Sequence, residues 1–176
     1  MFFYFEKIVI FILCVSFNLY IIRLYLIFKM LYNKQNKLED RNMAKIGFIG
    51  MGNMGYAILK GLLNVYGKEE IIFTDVNPGR CRQVSEETGV SFSACNAECA
   101  ASAKYIVLAV KPQFFAPVLS DIAGTVTKDH IIISIAPGIT VDSIRETLGA
   151  DKRIVRAMPN TPALLGEGMT GVCYDP

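Results

Sequence analysis

The chain has 176 residues, of which 52% are hydrophobic and 19% are charged, and its formal net charge is +2. This length suits one domain of ordinary size, and no stripe of Lys and Arg with interleaved aromatic residues follows residue 42, so nucleic acid is an unexpected partner. The five cysteines are an odd number without a paired framework, which is typical of reduced thiols in a reducing compartment.

The first 42 residues differ in composition from the rest of the chain. They contain no Gly, Ala, Pro or Thr, and they carry six basic and three acidic side chains. Within them, Ile8 to Phe28 is an apolar stretch of 21 residues, long enough as a helix to cover about 30 Å of hydrocarbon. We therefore predict an extra apolar helix-like segment at residues 1–42.

Two interpretations of this leader stay open. It is a membrane anchor, and the basic residues that follow it would then leave the folded domain in the cytoplasm. Alternatively it is not translated: its residue types are those that A/T-rich codons specify, and Leu38-Glu39-Asp40 can be encoded with a ribosome-binding GGAGG shortly before Met43. A cleaved signal peptide fits poorly, because no small-residue cleavage site follows.

The first element of the second part is an apolar strand, Lys45 to Ile49, and Gly50-Met51-Gly52-Asn53-Met54-Gly55 follows it directly. Three glycines at this spacing, between a strand and a helix, are typical of a turn that binds a dinucleotide pyrophosphate. Gly50 permits the tight turn, Gly52 lets bare backbone approach the phosphates, and Gly55 lets helix and strand pack closely. The sequence therefore predicts that NAD or NADP binds here.

A second strand, Ile71 to Thr74, ends at Asp75, 20 residues after the last glycine. An acid at this position favours the free ribose 2′-hydroxyl of NAD and repels the 2′-phosphate of NADP, whereas Asn77, Arg80 and Arg82 can offset that repulsion. Both NADH and NADPH therefore stay possible. A simple turn role for Asp75 is the alternative.

The later strand-like runs alternate with helical patterns. Tyr105 to Val110 and Ile131 to Ile135 are continuously apolar, as expected for parallel strands that are covered on both faces. Arg153 to Met158 is a further run, and Val90 to Ser93 is a weak one. The pattern predicts an α/β fold with a doubly wound parallel sheet of the Rossmann type over residues 43–176.

Local residues also predict where helices begin and end. Pro112 can open one helix, and Thr140 can cap another, with Asp142 in its first turn and Gly149 at its end. Ligands of doubly wound sheets collect beyond the carboxyl ends of the strands. The conspicuous residues that follow strands are Gly50, Asp75, Lys111, Ala136 and Asn160.

A metal site is not predicted. Cys95 and Cys99 would share a helix face, but His130, the single histidine, begins an apolar strand. We expect the cysteines to be small buried side chains without disulfides.

Three further segments match the order and spacing found in pyrroline-5-carboxylate reductases: Ala109 to Pro112, Ser134 to Thr140 and Arg156 to Ala163. With Ile46 to Gly55, the chain resembles this family over residues 43–176. The most specific part is Met158-Pro159-Asn160-Thr161-Pro162-Ala163, because related dehydrogenases share the glycine turn and a strand that ends in Lys-Pro. The resemblance implies an oxidoreductase of proline biosynthesis that transfers hydride from NADPH or NADH to 1-pyrroline-5-carboxylate.

The resemblance also implies residue roles. The glycine turn binds the pyrophosphate, Asn96 contacts the cofactor, Ala109 to Pro112 line the nicotinamide ribose, and Ile135 to Pro137 lie beside the nicotinamide. Lys111, Asn160 and Thr161 are candidates for the cleft, and the proton donor stays unassigned. The predicted cofactor-binding residues are Gly50, Met51, Gly52, Asn53, Met54, Gly55, Asp75, Asn77, Arg80, Asn96, Ala109, Val110, Lys111, Pro112, Ile135, Ala136 and Pro137.

The family continues into an all-helical second domain that forms the dimer and supplies much of the imino-acid site. We therefore expect a cytoplasmic cofactor domain that binds its nucleotide but does not reduce pyrroline-5-carboxylate at a useful rate alone, and that oligomerises only with the second domain. Two alternatives stay open. One is a β-hydroxyacid dehydrogenase or an F420-dependent NADP reductase, against which Arg156 to Ala163 argues; the other is a dinucleotide-binding module without catalysis.

Overall fold

The computed structural model describes residues 8–12, 44–160, 162 and 168–174, with the backbone alone at 8–12, 44 and 45. The strands are β1 (Ile8–Ile12), β2 (Ala44–Ile49), β3 (Ile71–Thr74), β4 (Ser91–Phe92), β5 (Ala103–Leu108), β6 (Ile131–Ser134), β7 (Arg153–Pro159) and β8 (Thr170–Tyr174). The α-helices are α1 (Asn53–Leu62), α2 (Pro78–Thr88), α3 (Asn96–Ala101), α4 (Phe115–Ile122) and α5 (Val141–Leu148). Short 3-10 helices occupy Lys68–Glu70 and Pro112–Phe114.

The eight described strands form one sheet in the order β1-β8-β7-β6-β5-β2-β3-β4. Neighbours from β7 through β4 are parallel, whereas β8 is antiparallel to both β7 and β1. The chain moves outward from β2 to β3 and β4 on one side and then returns to place β5 on the other side. The order of the strands therefore reverses between β2 and β5, which confirms the predicted doubly wound sheet.

Helices cover both faces of the sheet, and this explains the continuously apolar strands. On one face, α1 and α2 pack on Phe48 and Phe73; on the other, α3, α4 and α5 pack on Ile106 and Ile132. All four residues of β6 are buried, so neither face of this strand tolerates a solvated side chain.

The predicted helix boundaries are confirmed. Pro112 opens the 3-10 turn that leads into α4. Thr140 caps α5 by accepting a hydrogen bond from the Ser143 amide at 3.1 Å, and Gly149 ends that helix with a φ of +108°.

The sequence analysis was wrong about the beginning of the predicted apolar helix. Ile8–Ile12 forms β1, antiparallel to β8, and the rest of that stretch lies outside the described residues. A free edge of β8 presents unpaired N–H and C=O groups, and a run of β-branched and aromatic residues suits a strand that pairs with them. Within the described ranges, none of the helices combines the length and the apolar character needed to cross a membrane.

The expectation of buried cysteines is also wrong at two positions. Cys81 and Cys99 are buried, whereas Cys173 is half-buried and Cys95, which directly precedes α3, is exposed. Burial raises the pKa of the Cys99 thiol to about 12, and its Sγ lies 3.4 Å from the Phe48 carbonyl oxygen. In the part of the chain that the structure describes, no three metal-ligating side chains form a cluster.

Candidate functional site

The loops that follow β2, β3, β5 and β6 meet at one edge of the sheet, which we call the carboxyl edge. Backbone hydrogen bonds connect them: Gly50 donates to Thr74 at 2.9 Å, Ala109 to Ile49 at 2.8 Å, and Ile135 to Leu108 at 3.2 Å. The predicted glycine turn therefore lies beside the predicted segments that begin at Ala109 and Ile135.

Two glycines of the turn are required by the fold itself. Gly50 has a φ of +95°, and a Cβ there would lie 2.8 Å from the Ala109 carbonyl oxygen. A Cβ on Gly55 would lie 2.7 Å from the Gly50 carbonyl oxygen. Both distances are shorter than real Cβ contacts, so the turn and α1 approach each other this closely only with glycine at both positions.

Gly52 is different, because no described residue fills the space around it. Its φ is −70°, and a Cβ would meet no atom of the described residues within 4 Å. It precedes α1, whose N-terminus has no side-chain cap and no acidic residue in its first turn. Exposed backbone at a helix N-terminus binds anions, so an open position here fits a pyrophosphate.

Asp75 lies against the glycine turn. Its Oδ2 accepts a hydrogen bond from the Met51 amide at 2.6 Å, and its Oδ1 accepts one from the Asn77 amide at 2.9 Å. The side chain of Asn77 caps α2 by accepting from the amides of Gly79 and Arg80. The structure thus brings Asp75 and Asn77 to the turn.

Arg80 reaches back from α2 to the same turn. Its Nε donates to the Met51 carbonyl at 2.8 Å, and its guanidinium lies 4.7 Å from the ring centroid of Tyr56. The Tyr56 hydroxyl donates to Glu87, and this hydrogen bond raises the pKa of Tyr56 and lowers the pKa of Glu87. Sequence reasoning missed Tyr56, because the helical spacing of Arg80, Gln83 and Glu87 does not show which residue of α1 they face.

The segment after β5 is more open. Ala109 and Val110 are half-buried, and Lys111 and Pro112 are exposed. After β6, Ile135 is half-buried, Ala136 is buried and Pro137 is exposed. Both segments directly follow strands at the carboxyl edge, where ligands of doubly wound sheets bind.

Two predicted residues make other contacts in the structure. The Asn96 amide nitrogen Nδ2 donates to Asp121 at 2.8 Å, on the face of the sheet opposite α1. Asn160 closes the loop between β7 and β8: its amide donates to the Met169 carbonyl, and its Oδ1 accepts from the Met169 amide at 2.8 Å. Thr161 lies outside the described residues.

A parallel sheet with a glycine turn at its switch point defines a Rossmann-type α/β domain of the dinucleotide-binding class. The model of the family described as "NADP oxidoreductase coenzyme F420-dependent" matches residues 45–138, more than half of the chain, and the chain belongs to that family. The comparison with curated proteins is more specific. The chain is 43% identical over 131 residues to the pyrroline-5-carboxylate reductase of Escherichia coli, covering 73% of this chain and 48% of that protein.

Solved structures agree. A pyrroline-5-carboxylate reductase from Coxiella burnetii is 38% identical with a TM-score of 0.67, covering 72% of this chain and 48% of that one. The Plasmodium falciparum pyrroline carboxylate reductase with NADP bound is 32% identical with a TM-score of 0.62, and the match covers 73% of this chain and 47% of that one. The resemblance inferred from the sequence is confirmed, and the chain spans about half the length of the curated relatives that it matches.

Proposed function

We propose that this chain is the cofactor-binding part of a reductase that converts 1-pyrroline-5-carboxylate to L-proline with hydride from NADPH or NADH. The observation that carries the nucleotide part is the open space at Gly52, beside the uncapped N-terminus of α1. The names of the relatives and the sequence from Arg156 to Ala163 support the choice of substrate.

The residues of the carboxyl edge divide the task of binding. The turn from Gly50 to Gly55 holds the pyrophosphate at the N-terminus of α1, where Gly52 leaves no side chain in the way. Ala109 to Pro112 and Ile135 to Pro137 hold the nicotinamide end. When bound, the cofactor would supply the hydride, and these segments would hold its nicotinamide end beside the substrate and help to exclude water.

Both NADPH and NADH are candidate cofactors. The Plasmodium falciparum relative holds NADP, which favours NADPH. NADH stays the alternative.

The remaining predictions belong to the same proposal. Lys111, Asn160 and Thr161 shape the cleft, and Asn96 contacts the cofactor. The domain works in the cytoplasm and comprises residues 43–176, and Ile8–Ile12 of the leader adds an edge strand to its sheet. The homo-oligomer forms through a second domain of the full enzyme.

Nucleotide binding is tested by calorimetric titration of the full chain with NADPH and with NADH. Gly52→Val places its side chain in the open space over α1, and we expect it to abolish binding without loss of stability. Gly124→Val is the matched control, because a Cβ on Gly124 also meets no atom within 4 Å and this turn lies after α4. Unchanged affinity in Gly52→Val would overturn the assignment of the turn.

The substrate is tested with a chimera in which this domain replaces the matching half of the Escherichia coli relative. We expect the chimera to form L-proline from pyrroline-5-carboxylate and NADPH, and the Gly52→Val chimera to fail. The family description names coenzyme F420, so hydride transfer between NADP and that coenzyme is the second candidate. A full chain that reduces F420 with NADPH, together with an inactive chimera, would favour the second candidate.

A further inference from the structure

Met51 lies inside a glycine turn, yet its side chain, its amide and its carbonyl all make contacts with other parts of the chain. Its side chain is fully buried in the core layer under α1 and α2. Its amide donates to Asp75, and its carbonyl accepts from Arg80. A turn of this kind is expected to be loose, so the number of contacts on this one residue needs an explanation.

The contacts form a closed ring of four hydrogen bonds. Asp75 accepts from the Met51 amide at 2.6 Å and from the Asn77 amide at 2.9 Å. Asn77 Oδ1 accepts from the Arg80 amide at 3.3 Å, and Arg80 Nε donates to the Met51 carbonyl at 2.8 Å. In two of these bonds a charged side chain contacts the backbone of Met51: the Asp75 carboxylate accepts from its amide, and the Arg80 guanidinium donates to its carbonyl. Hydrogen bonds to charged groups are among the strong ones.

We propose that Asp75 and Arg80 are positioning residues that hold Met51, and with it the path from Gly50 to Gly52, in the conformation that receives the pyrophosphate. This inference rests on the proposed nucleotide binding at the turn. Asp75 thereby acts through the turn rather than by selecting between the ribose of NADH and the phosphorylated ribose of NADPH.

The physical basis is preorganisation. A turn that is already in its binding conformation loses little conformational entropy when the ligand arrives, so the affinity is higher than for a turn that must first be ordered. This gain is the same for every ligand that places a pyrophosphate on the turn. A residue that contacts the ribose changes instead the ratio of the affinities for NADPH and NADH.

Asp75→Asn keeps an oxygen acceptor but removes the charge, and Glu86→Gln is the matched control because Glu86 is an exposed carboxylate on α2. We expect Asp75→Asn to weaken the binding of NADPH and of NADH by about tenfold each, with the ratio unchanged. A ratio that shifts tenfold toward NADPH would overturn the proposal and assign Asp75 to the ribose. Wild-type chain that binds neither nucleotide would instead contradict the proposed function.

A second measurement does not depend on ligand. Hydrogen exchange of the Met51 amide in the free chain should accelerate at least tenfold in Asp75→Asn, while exchange of the Ile106 amide in the centre of β5 stays unchanged. If Asp75 only stabilised the fold, hydrogen exchange of the Met51 amide and of the Ile106 amide would accelerate by the same factor. Unchanged exchange at Met51 would overturn the proposal.

The two positioning residues should also act as a unit. Arg80→Gln should lower the affinity for both nucleotides. The fold-loss of affinity in the double variant with Asp75→Asn should be smaller than the product of the two single fold-losses, because both side chains hold the same residue. Independent, multiplicative losses would show that Arg80 and Asp75 serve different parts of the ligand.

Discussion

The two ends of the same parallel strands differ in how their loops are filled. At the amino edge, formed by the loops before β6 and β7, protein side chains satisfy the backbone: Arg153 donates to the carbonyls of Lys128 and Asp129 at 3.0 and 2.6 Å. His130 Nδ1 accepts from the Thr127 amide at 2.9 Å. At the carboxyl edge, Gly52 leaves space that no side chain of the described residues fills.

The strands themselves therefore do not decide where a ligand can bind. Both edges have exposed backbone from parallel strands, but only the carboxyl edge combines glycine, alanine and proline with an uncapped helix N-terminus. The amino edge is closed by its own long side chains. Substitutions at the two edges should therefore separate effects on stability from effects on nucleotide binding.

Gly50→Ala should produce the largest effect. The side chain requires a strained φ of +95° and a contact of 2.8 Å with the Ala109 carbonyl oxygen, so the free energy of unfolding should fall by about 3 kcal/mol. Urea unfolding measures this change. Gly124→Ala is the control, because its Cβ enters open space. A loss below about 1 kcal/mol in Gly50→Ala would show that the turn can shift at little cost.

Arg153→Ala should have a smaller effect, confined to stability. The variant loses two hydrogen bonds from a charged donor at an exposed position, so we expect about 1 kcal/mol less stability. Calorimetric titration should give the wild-type affinity for NADPH, since the amino edge lies at the opposite end of the strands. Weakened binding would break the separation between the two edges.

The stability contributed by His130 should depend on pH. Burial lowers the pKa of His130, so the unfolded chain binds this proton at a higher pH than the folded chain does. Stability should therefore decrease as the pH falls below the unfolded pKa of about 6.5, toward the lower folded value. Unfolding in urea at pH 7.5 and 5.5 should show a smaller decrease in His130→Asn. Equal decreases in both proteins would contradict this role of burial.

Lys111→Ala should have the smallest effect on stability, within about 0.5 kcal/mol, because the side chain is exposed. We nevertheless expect it to weaken NADPH binding several-fold, since Lys111 follows β5 at the carboxyl edge. Lys128→Ala removes an equally exposed lysine at the amino edge and should leave the affinity unchanged. If both variants bind NADPH like the wild type, Lys111 is a solvated residue at the end of a strand.

Local sequence predicted the parallel strands, the glycine turn and the caps at Pro112, Thr140 and Gly149, because apolar periodicity, glycine and capping residues act over a few neighbouring positions. It also identified the edge at which the ligand site lies, since the carboxyl ends of parallel strands share one side of the sheet.

Contacts between distant parts of the chain could not be predicted in this way. No strand was predicted at Thr170–Tyr174, and its pairing with Ile8–Ile12 was not expected, because strand pairing depends on which edge of the sheet is free. The contacts of Asp75 with Met51 and of Arg80 with Met51 join residues 24 and 29 positions apart. Local pattern cannot predict such contacts, since the packing of α2 beside the turn sets those distances.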